Sequence, residues 1–433
     1  MASPVKAPLN RSETQKKNSP FASLRYPLYR KLWWAGTFSF MSVQMQFLLR
    51  GVLAWELTER ESALGLTYLL FGASMLVATP LGGIATDRYP KRTVLLFSQA
   101  AIALAAAGLG TAVLLDAEQF WMLLVVSTIH GGSFGFYGPA RVAYSTDLVG
   151  RDQVGNAITL SLLSMSSTRI FAPALAGVLV GVKAVGIGGV YLIAAVLSIV
   201  SFLLLLRLPT VRPVGTPGRN PWAEIAAGIG YVNERPPLRR LMISSFFVIM
   251  FAFNYVAFLP ALVEDVFGLG DVYLGIISTA SALGAVLASL FVASRADSAK
   301  APDLLLGAGL VFCVGVVVLG AAPSFWAAFA VIFVIGAGST SYQSLSSTLA
   351  LRMTEDGFQG RVQSLMQLSF AGFGIAALPL GMLAEAVGLR RTIFVMGGVG
   401  VASLAVSTLV TQSISGRSAI ADRPVQEVGS PRT

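Results

Sequence analysis

Apolar residues in this chain come in runs of about twenty, separated by short polar turns. The first six runs fall at 32–55, 63–85, 93–115, 120–138, 157–182 and 186–206. After one long break, six more follow at 241–262, 272–294, 304–321, 325–349, 362–387 and 392–411. A helix rises about 1.5 Å per residue, so runs of this length cross about 30 Å of hydrocarbon. Hydrocarbon offers a backbone no hydrogen-bond partners, which leaves the helix as the form such runs adopt. The pattern predicts an all-α polytopic membrane protein of about twelve transmembrane helices in two six-helix halves, 21–206 and 241–411.

The segments between and around the runs differ in kind. Residues 1–20 are polar and rich in Ser, Pro and Lys, the composition of a disordered tail. Residues 21–31 alternate apolar and basic groups, as for a surface-lying entry to the first span. The break at 207–240 holds Pro209, Pro213, Pro217, Pro221, Pro236 and Pro237 among arginines. Within it Trp222, Ile225, Ala226, Ile229 and Val232 recur at helical spacing, predicting an amphipathic helix inside an inter-domain linker. Residues 139–156 read as a loop, and 412–433 as a polar tail. A shift of 210 residues lays Asp87 on Asp297 and Gly65 on Gly275, and a shift of 205 lays Gly155 on Gly360 and Leu160 on Leu365. The matched order of spans and loops is the stronger sign of a repeat.

Charge changes the picture in one respect, orientation. Only 12% of residues are charged, with a net charge of +10. The bases lie in short loops and tails, where they attract anionic lipid, and make no nucleic-acid footprint. If the N-terminus is inside, Arg88, Lys91, Arg92, Arg141, Arg151 and the linker arginines face the cytoplasm. The outer turns then hold only Arg60, Lys183, Arg390 and Arg391. Both termini are therefore expected in the cytoplasm, with the chain multi-pass in the cell (inner) membrane and no cleavable signal.

Enzyme chemistry finds no support. His130 has no Ser, Asp or Cys partner at a recognisable spacing, and no phosphate loop is present. Cys313 stands alone in an apolar run, so neither a disulfide framework nor a cysteine metal site exists. No cofactor and no metal are expected.

The turn between the second and third runs concentrates charge. Gly83, Asp87, Arg88, Lys91 and Arg92 reproduce the spacing G-x-x-x-D-[RK]-x-G-[RK]-[RK], with Pro90 where that pattern has Gly. Taken alone, this is either a positive-inside loop with an incidental acid or a charged gate. The spacing resembles the signature of the major facilitator superfamily. Further segments in order are similar to its branch of drug:proton antiporters that includes macrolide exporters and the enterobactin exporter. They are Phe21-Ala22-Ser23-Leu24-Arg25, Gly138-Pro139-Ala140-Arg141, Arg169-x-x-Ala172-Pro173-x-x-x-Gly177, Gly228-Ile229-Gly230-Tyr231-Val232 and Gly360-Arg361-Val362. The resemblance implies two parallel six-helix halves and alternating access. Asp87 would then bond to a neighbouring helix N-terminus in the outward-facing state, while Arg88, Lys91 or Arg92 meets Asp147. Pro173 and Gly177 stand in the fifth-span signature of exporters, with alanines at two of its glycine positions.

Charge at membrane depth is costly and usually functional. Ser39, Ser42, Gln46 and Arg50 share one face of the first span. Arg50 either snorkels to the near surface or faces a passage. Arg169, near the middle of its span, either ties helices together or binds cargo. His130, in a glycine-rich run, is either a neutral hydrogen-bonded residue between helices or a protonatable group. Asn254, Tyr342 and Gln343 are cavity groups or interhelical ties. The acids Glu56, Glu264, Asp265 and Glu385 fall near span ends, so His130 and Glu56 are the candidates for proton coupling, beside the gate acids Asp87 and Asp147.

The reading is a secondary transporter, a monomer in the lipid bilayer. It exports an amphiphilic small molecule, drug-like or a siderophore, by alternating access with proton antiport. The alternatives are an importer or symporter of a small polar solute, or a polytopic lipid-handling or scaffold protein. Cations without acid partners at membrane depth predict cargo that is anionic or rich in acceptors.

Overall fold

The computed structural model describes residues 21–149, 153–182, 184–211, 221–293, 300–355 and 358–421. The tail 1–20, Arg151, Lys183, Arg219, Asp297 and residues 422–433 lie outside them. The described residues form helices without strands. A short 3-10 turn, Ala22–Arg25, precedes α1 (Pro27–Thr58), α2 (Glu61–Arg88), α3 (Lys91–Leu114), α4 (Phe120–Val149), α5 (Val154–Val180) and α6 (Gly186–Leu206). Between the halves lies α7 (Pro221–Asn233). Then come α8 (Pro236–Val266), α9 (Asp271–Ala293), α10 (Ala301–Gly320), α11 (Phe325–Arg352), α12 (Gln359–Val387) and α13 (Leu389–Ala421).

Among the described residues, ten of these helices are long and apolar enough to cross a membrane on composition alone. The other two complete the twelve. In α1 the stripe of Ser39, Ser42, Gln46 and Arg50 dilutes the apolar character, and in α12 the apolar part is Ala371–Val387. Two boundaries differ from the sequence pattern. The segment expected as a loop from Pro139 continues as helix to Val149, with Pro139 inside α4. The last helix continues past Thr411 to Ala421. A proline inside a helix loses one backbone bond but need not end the helix when neighbours pack around it. Along α8 the helix is broken: Ala252–Phe258 is 3-10 and Leu262–Val266 is π-helical.

Each half packs its own six helices, and the halves meet most extensively at two helix pairs, α2 with α12 and α5 with α9. Both joints are built on glycine. A Cβ on Gly72 would lie 2.9 Å from Gly374 Cα, and one on Gly177 would lie 3.0 Å from Gly275 Cα. Only a residue without a side chain lets the backbones meet that closely. Ser62 adds a polar tie, its N–H and Oγ–H donating to Glu385 Oε1 at 3.1 and 2.6 Å. These contacts lie toward the end of the bundle that carries Glu61, Val180, Asp271 and Val387. The other end, called the basic end below, carries the Gly83–Arg92 turn and α7.

Candidate functional site

A cavity of about 280 Å³ lies between the halves, on the basic-end side of the glycine clasp. The N-terminal half presents mainly apolar groups, among them Val43, Phe47, Phe71 and Phe134, together with Gln44 and Arg169. The C-terminal half adds hydroxyls on α9 and α11, among them Ser278, Ser281, Ser339, Thr340, Ser344 and Ser347, beside apolar groups such as Ile249, Phe253, Leu259 and Phe373. At the clasp the wall is aromatic: Phe373 of α12 packs tilted against Phe47 and edge-to-face against Tyr68, with centroids 5.5 and 5.4 Å away.

Among the described lining residues, Arg169 is the one charged side chain. Its guanidinium donates to Gln343 Oε1 on α11, so one hydrogen bond crosses from half to half at the cavity wall. Pro173, one turn along α5, also lines the cavity, and Gly177 a further turn along forms the clasp. The exporter-type segment thus spans from cargo wall to inter-half joint. What such a site can do is hold an apolar or aromatic body against its apolar lining and satisfy acceptor groups with Arg169 of α5 and the hydroxyls of α9 and α11.

Other residues singled out in the sequence lie behind this wall. Gln46, Arg50, His130 and Asn254 are not among the lining residues. Gln46 donates to Ser42 Oγ at 3.0 Å, and Ser42 donates to the Ala194 carbonyl at 2.7 Å. Ser39 accepts from Gln99 of α3. Ser39 and Ser42 therefore face α3 and α6, where buried hydroxyls find hydrogen-bond partners. Arg50 sits 2.9 Å from His130 Nδ1, both about 1% exposed. Asn254 donates to the carbonyls of Met250 and Phe373, at 2.6 and 3.0 Å, tying α8 to α12. Glu56 is exposed at the clasp end, beside a small pocket it shares with Glu264.

At the basic end α2 passes to α3 through two residues. Tyr89 is extended, as a residue before proline must be, and Pro90 has φ −54°, which its ring enforces. The departure from Gly at this position is thus accommodated by an ordinary φ. Lys91 Nζ meets Asp147 Oδ2 at 2.6 Å. Arg92 donates to the carbonyls of Leu205 and Leu206, at 3.2 and 2.6 Å, capping α6. Asp87 and Arg88 are exposed, and a Cβ on Gly83 would meet nothing within 4 Å. Asp87 has no hydrogen-bond partner among the described residues in this conformation.

One residue escaped the pattern reading. Arg141, placed in a loop by its position after Gly138-Pro139, is 7% exposed within α4, 4.7 Å over the Phe40 ring. The signal was available: His130, Tyr137 and Arg141 are spaced seven and four apart, one continuous helix face.

The comparisons with known proteins bear on this geometry. Residues 32–374 match the family model described as Major Facilitator Superfamily. The chain belongs to that superfamily. It is 24% identical over 360 residues to the enterobactin exporter EntS of Shigella flexneri, covering 83% of this chain and 85% of that protein. The same protein from Escherichia coli O9:H4 (strain HS) matches at the same identity and coverage. Among solved structures, a bacterial homolog of the human lysosomal transporter Spinster, in an inward-facing and unoccupied conformation, superposes with TM-score 0.69 at 15% identity. That match covers 90% of this chain and 97% of the other. The nucleoside transporter NupG superposes with TM-score 0.63 at 14% identity, over 88% and 98% of the two chains. Superfamily membership makes this a multi-pass membrane transporter of small molecules and not an enzyme. The structural neighbours speak to the fold alone.

Proposed function

We propose that this transporter exports an anionic or acceptor-rich amphiphile in exchange for protons, by alternating access. Arg169 at the wall of the inter-half cavity carries this reading. A guanidinium stays charged at any working pH, so it selects cargo and does not carry the proton. The apolar wall of α1, α2 and α4 suits an aromatic body, and the hydroxyls of α9 and α11 suit its acceptors. The relation to enterobactin exporters supports export and a catecholate-like cargo. The basic end faces the cytoplasm in this proposal, on the distribution of Lys and Arg. The clasp then closes the outer side, and Gly83, Asp87, Arg88, Lys91, Arg92 and Asp147 form the gate on the inner side. His130 and Glu56 are the proton candidates, and the monomer is the working unit.

The test is transport by the full chain in proteoliposomes with a pH dye inside, using enterobactin as the anionic probe and ethidium as the cationic one. Wild type moves protons when enterobactin is supplied, and Arg169→Gln weakens enterobactin by about tenfold to a hundredfold while sparing ethidium. Equal losses for both probes would reduce Arg169 to a tie between the halves. Proton movement in the same direction as the cargo would replace antiport by symport.

A further inference from the structure

Arg50 and His130 are packed inside the N-terminal half, away from the cavity, yet they press on its wall. The guanidinium lies 4.5 Å from the Phe71 centroid, with Tyr68 and Phe47 at 5.7 and 5.9 Å. The His130 ring meets the same Phe71 edge-on, centroids 5.6 Å apart. Phe71 and Phe47 in turn line the cavity. One aromatic side chain therefore separates the pair from the cargo space and contacts both of its members.

The hydrogen bond within the pair fixes a proton. Arginine has donors only, so His130 Nδ1, 2.9 Å from Arg50 Nη2, is the acceptor and is bare. The ring hydrogen is then on Nε2. Arg50 Nη1 and His130 Nε2 have no partner among the described residues. The charged and titratable groups around the pair are Arg50 on α1, Tyr68 on α2 and Tyr191 on α6. Among the described residues no carboxylate is buried, so nothing there offsets a second positive charge.

We propose that Arg50 and His130 form a proton-operated prop behind Phe71, in which a proton on His130 Nδ1 and the docked Arg50 guanidinium exclude one another. With Nδ1 bare, Arg50 stays on the imidazole and on the Phe71 face. When water delivers a proton to the Nδ1 lone pair, the ring becomes an imidazolium with two N–H groups. The bond from Nη2 is lost, and the two cations separate. Phe71 then loses its cation partner, and the cavity wall formed by Phe47 and Phe71 loosens. Return of the proton to water restores the bond. Two mutually exclusive states at one contact are what coupling between a proton and a cargo site requires. The link to transport rests on the antiport reading; the exclusion itself does not.

The chain contains one histidine, so histidine-selective 15N labelling gives a single ring spectrum. The full chain in lipid nanodiscs is followed across roughly pH 5 to 9. Expected for the wild type is a neutral ring with hydrogen on Nε2 and none on Nδ1. Arg50→Gln removes the competing cation and increases the proton affinity of His130 by about tenfold or more, one pH unit in the midpoint. A wild-type ring carrying its hydrogen on Nδ1 overturns the proposal without need of any variant, and so does a midpoint unchanged in Arg50→Gln. Cargo-driven proton flux in His130→Gln separates the two claims. If the exclusion is observed and flux is undiminished, the prop stands and the assignment of antiport to this site falls.

Discussion

Two arginines at membrane depth in the N-terminal half, Arg50 and Arg169, occupy opposite settings. Arg169 is on the wall between the halves and bonds across to Gln343. Arg50 is inside one half, boxed by Phe47, Tyr68, Phe71 and His130. A group on the seam exchanges partners when the halves rock, because only inter-half contacts change in a rigid-body motion. A group inside a half keeps its partners through that motion and changes only if its own chemistry changes. The first setting therefore suits cargo selection, and the second suits a slow, proton-dependent adjustment of the wall.

The largest effect is expected at the seam. In Gly374→Leu the new side chain starts from a Cβ 2.8 Å from Gly72 Cα, so α2 and α12 must part. Overpacking of this kind costs about 1–3 kcal/mol, enough to move a two-state equilibrium by about fivefold to a hundredfold. Spin labels at Ser62 and Glu385 report it: their separation should grow by several ångströms, and an unchanged distance distribution would mean that the clasp does not hold the halves. The corresponding overpacking inside a half is expected to lower thermal stability instead, without widening that distance.

A smaller effect tests whether the linker helix belongs to one half. Arg235, Tyr231, Phe358 and Arg361 form one continuous stack. Arg235 Cζ is 3.6 Å from the Tyr231 centroid, the two rings are 4.1 Å apart at 15°, and Arg361 Cζ is 4.7 Å from Phe358. Arg235 also meets Glu355 at 2.6 Å, and the Glu355 N–H donates to the Tyr231 hydroxyl at 2.9 Å. This seats the end of α7 against Glu355, Phe358 and the start of α12. Arg235→Ala should remove about 1 kcal/mol of that seating, seen as several-fold faster amide exchange over residues 221–233. Exchange that stays the same would show that α7 is held by its apolar face alone.

The smallest effect is expected at the Lys91–Asp147 pair, whose side chains are 17% and 24% exposed. Lys91→Ala should cost at most about 1 kcal/mol of stability, less at high salt. A loss of transport much larger than this stability change would assign the pair to the gate.

That the chain spans a membrane, how many times and in which two halves, is legible in its residues alone, because hydrocarbon demands long apolar helices whatever packs beside them. So is the charged turn at Gly83–Arg92, whose spacing is local to a few residues. Arg50 and Arg169 stand out as costly charges at depth, and His130 and Gln343 as polar groups there, since residue type and position along a span are both legible in the chain. Which of them face one another was decided by tertiary structure. The face of Ser39, Ser42, Gln46 and Arg50 is legible from spacing, but whether it turns to the cavity or to neighbours within its own half depends on helix rotation. Helix rotation is set by packing against neighbours far away in the chain, such as Ala194 and Ser198. Arg141 was misread for a related reason: Pro139 ends a helix in isolation, whereas in the bundle α4 continues through it and buries the guanidinium against Phe40.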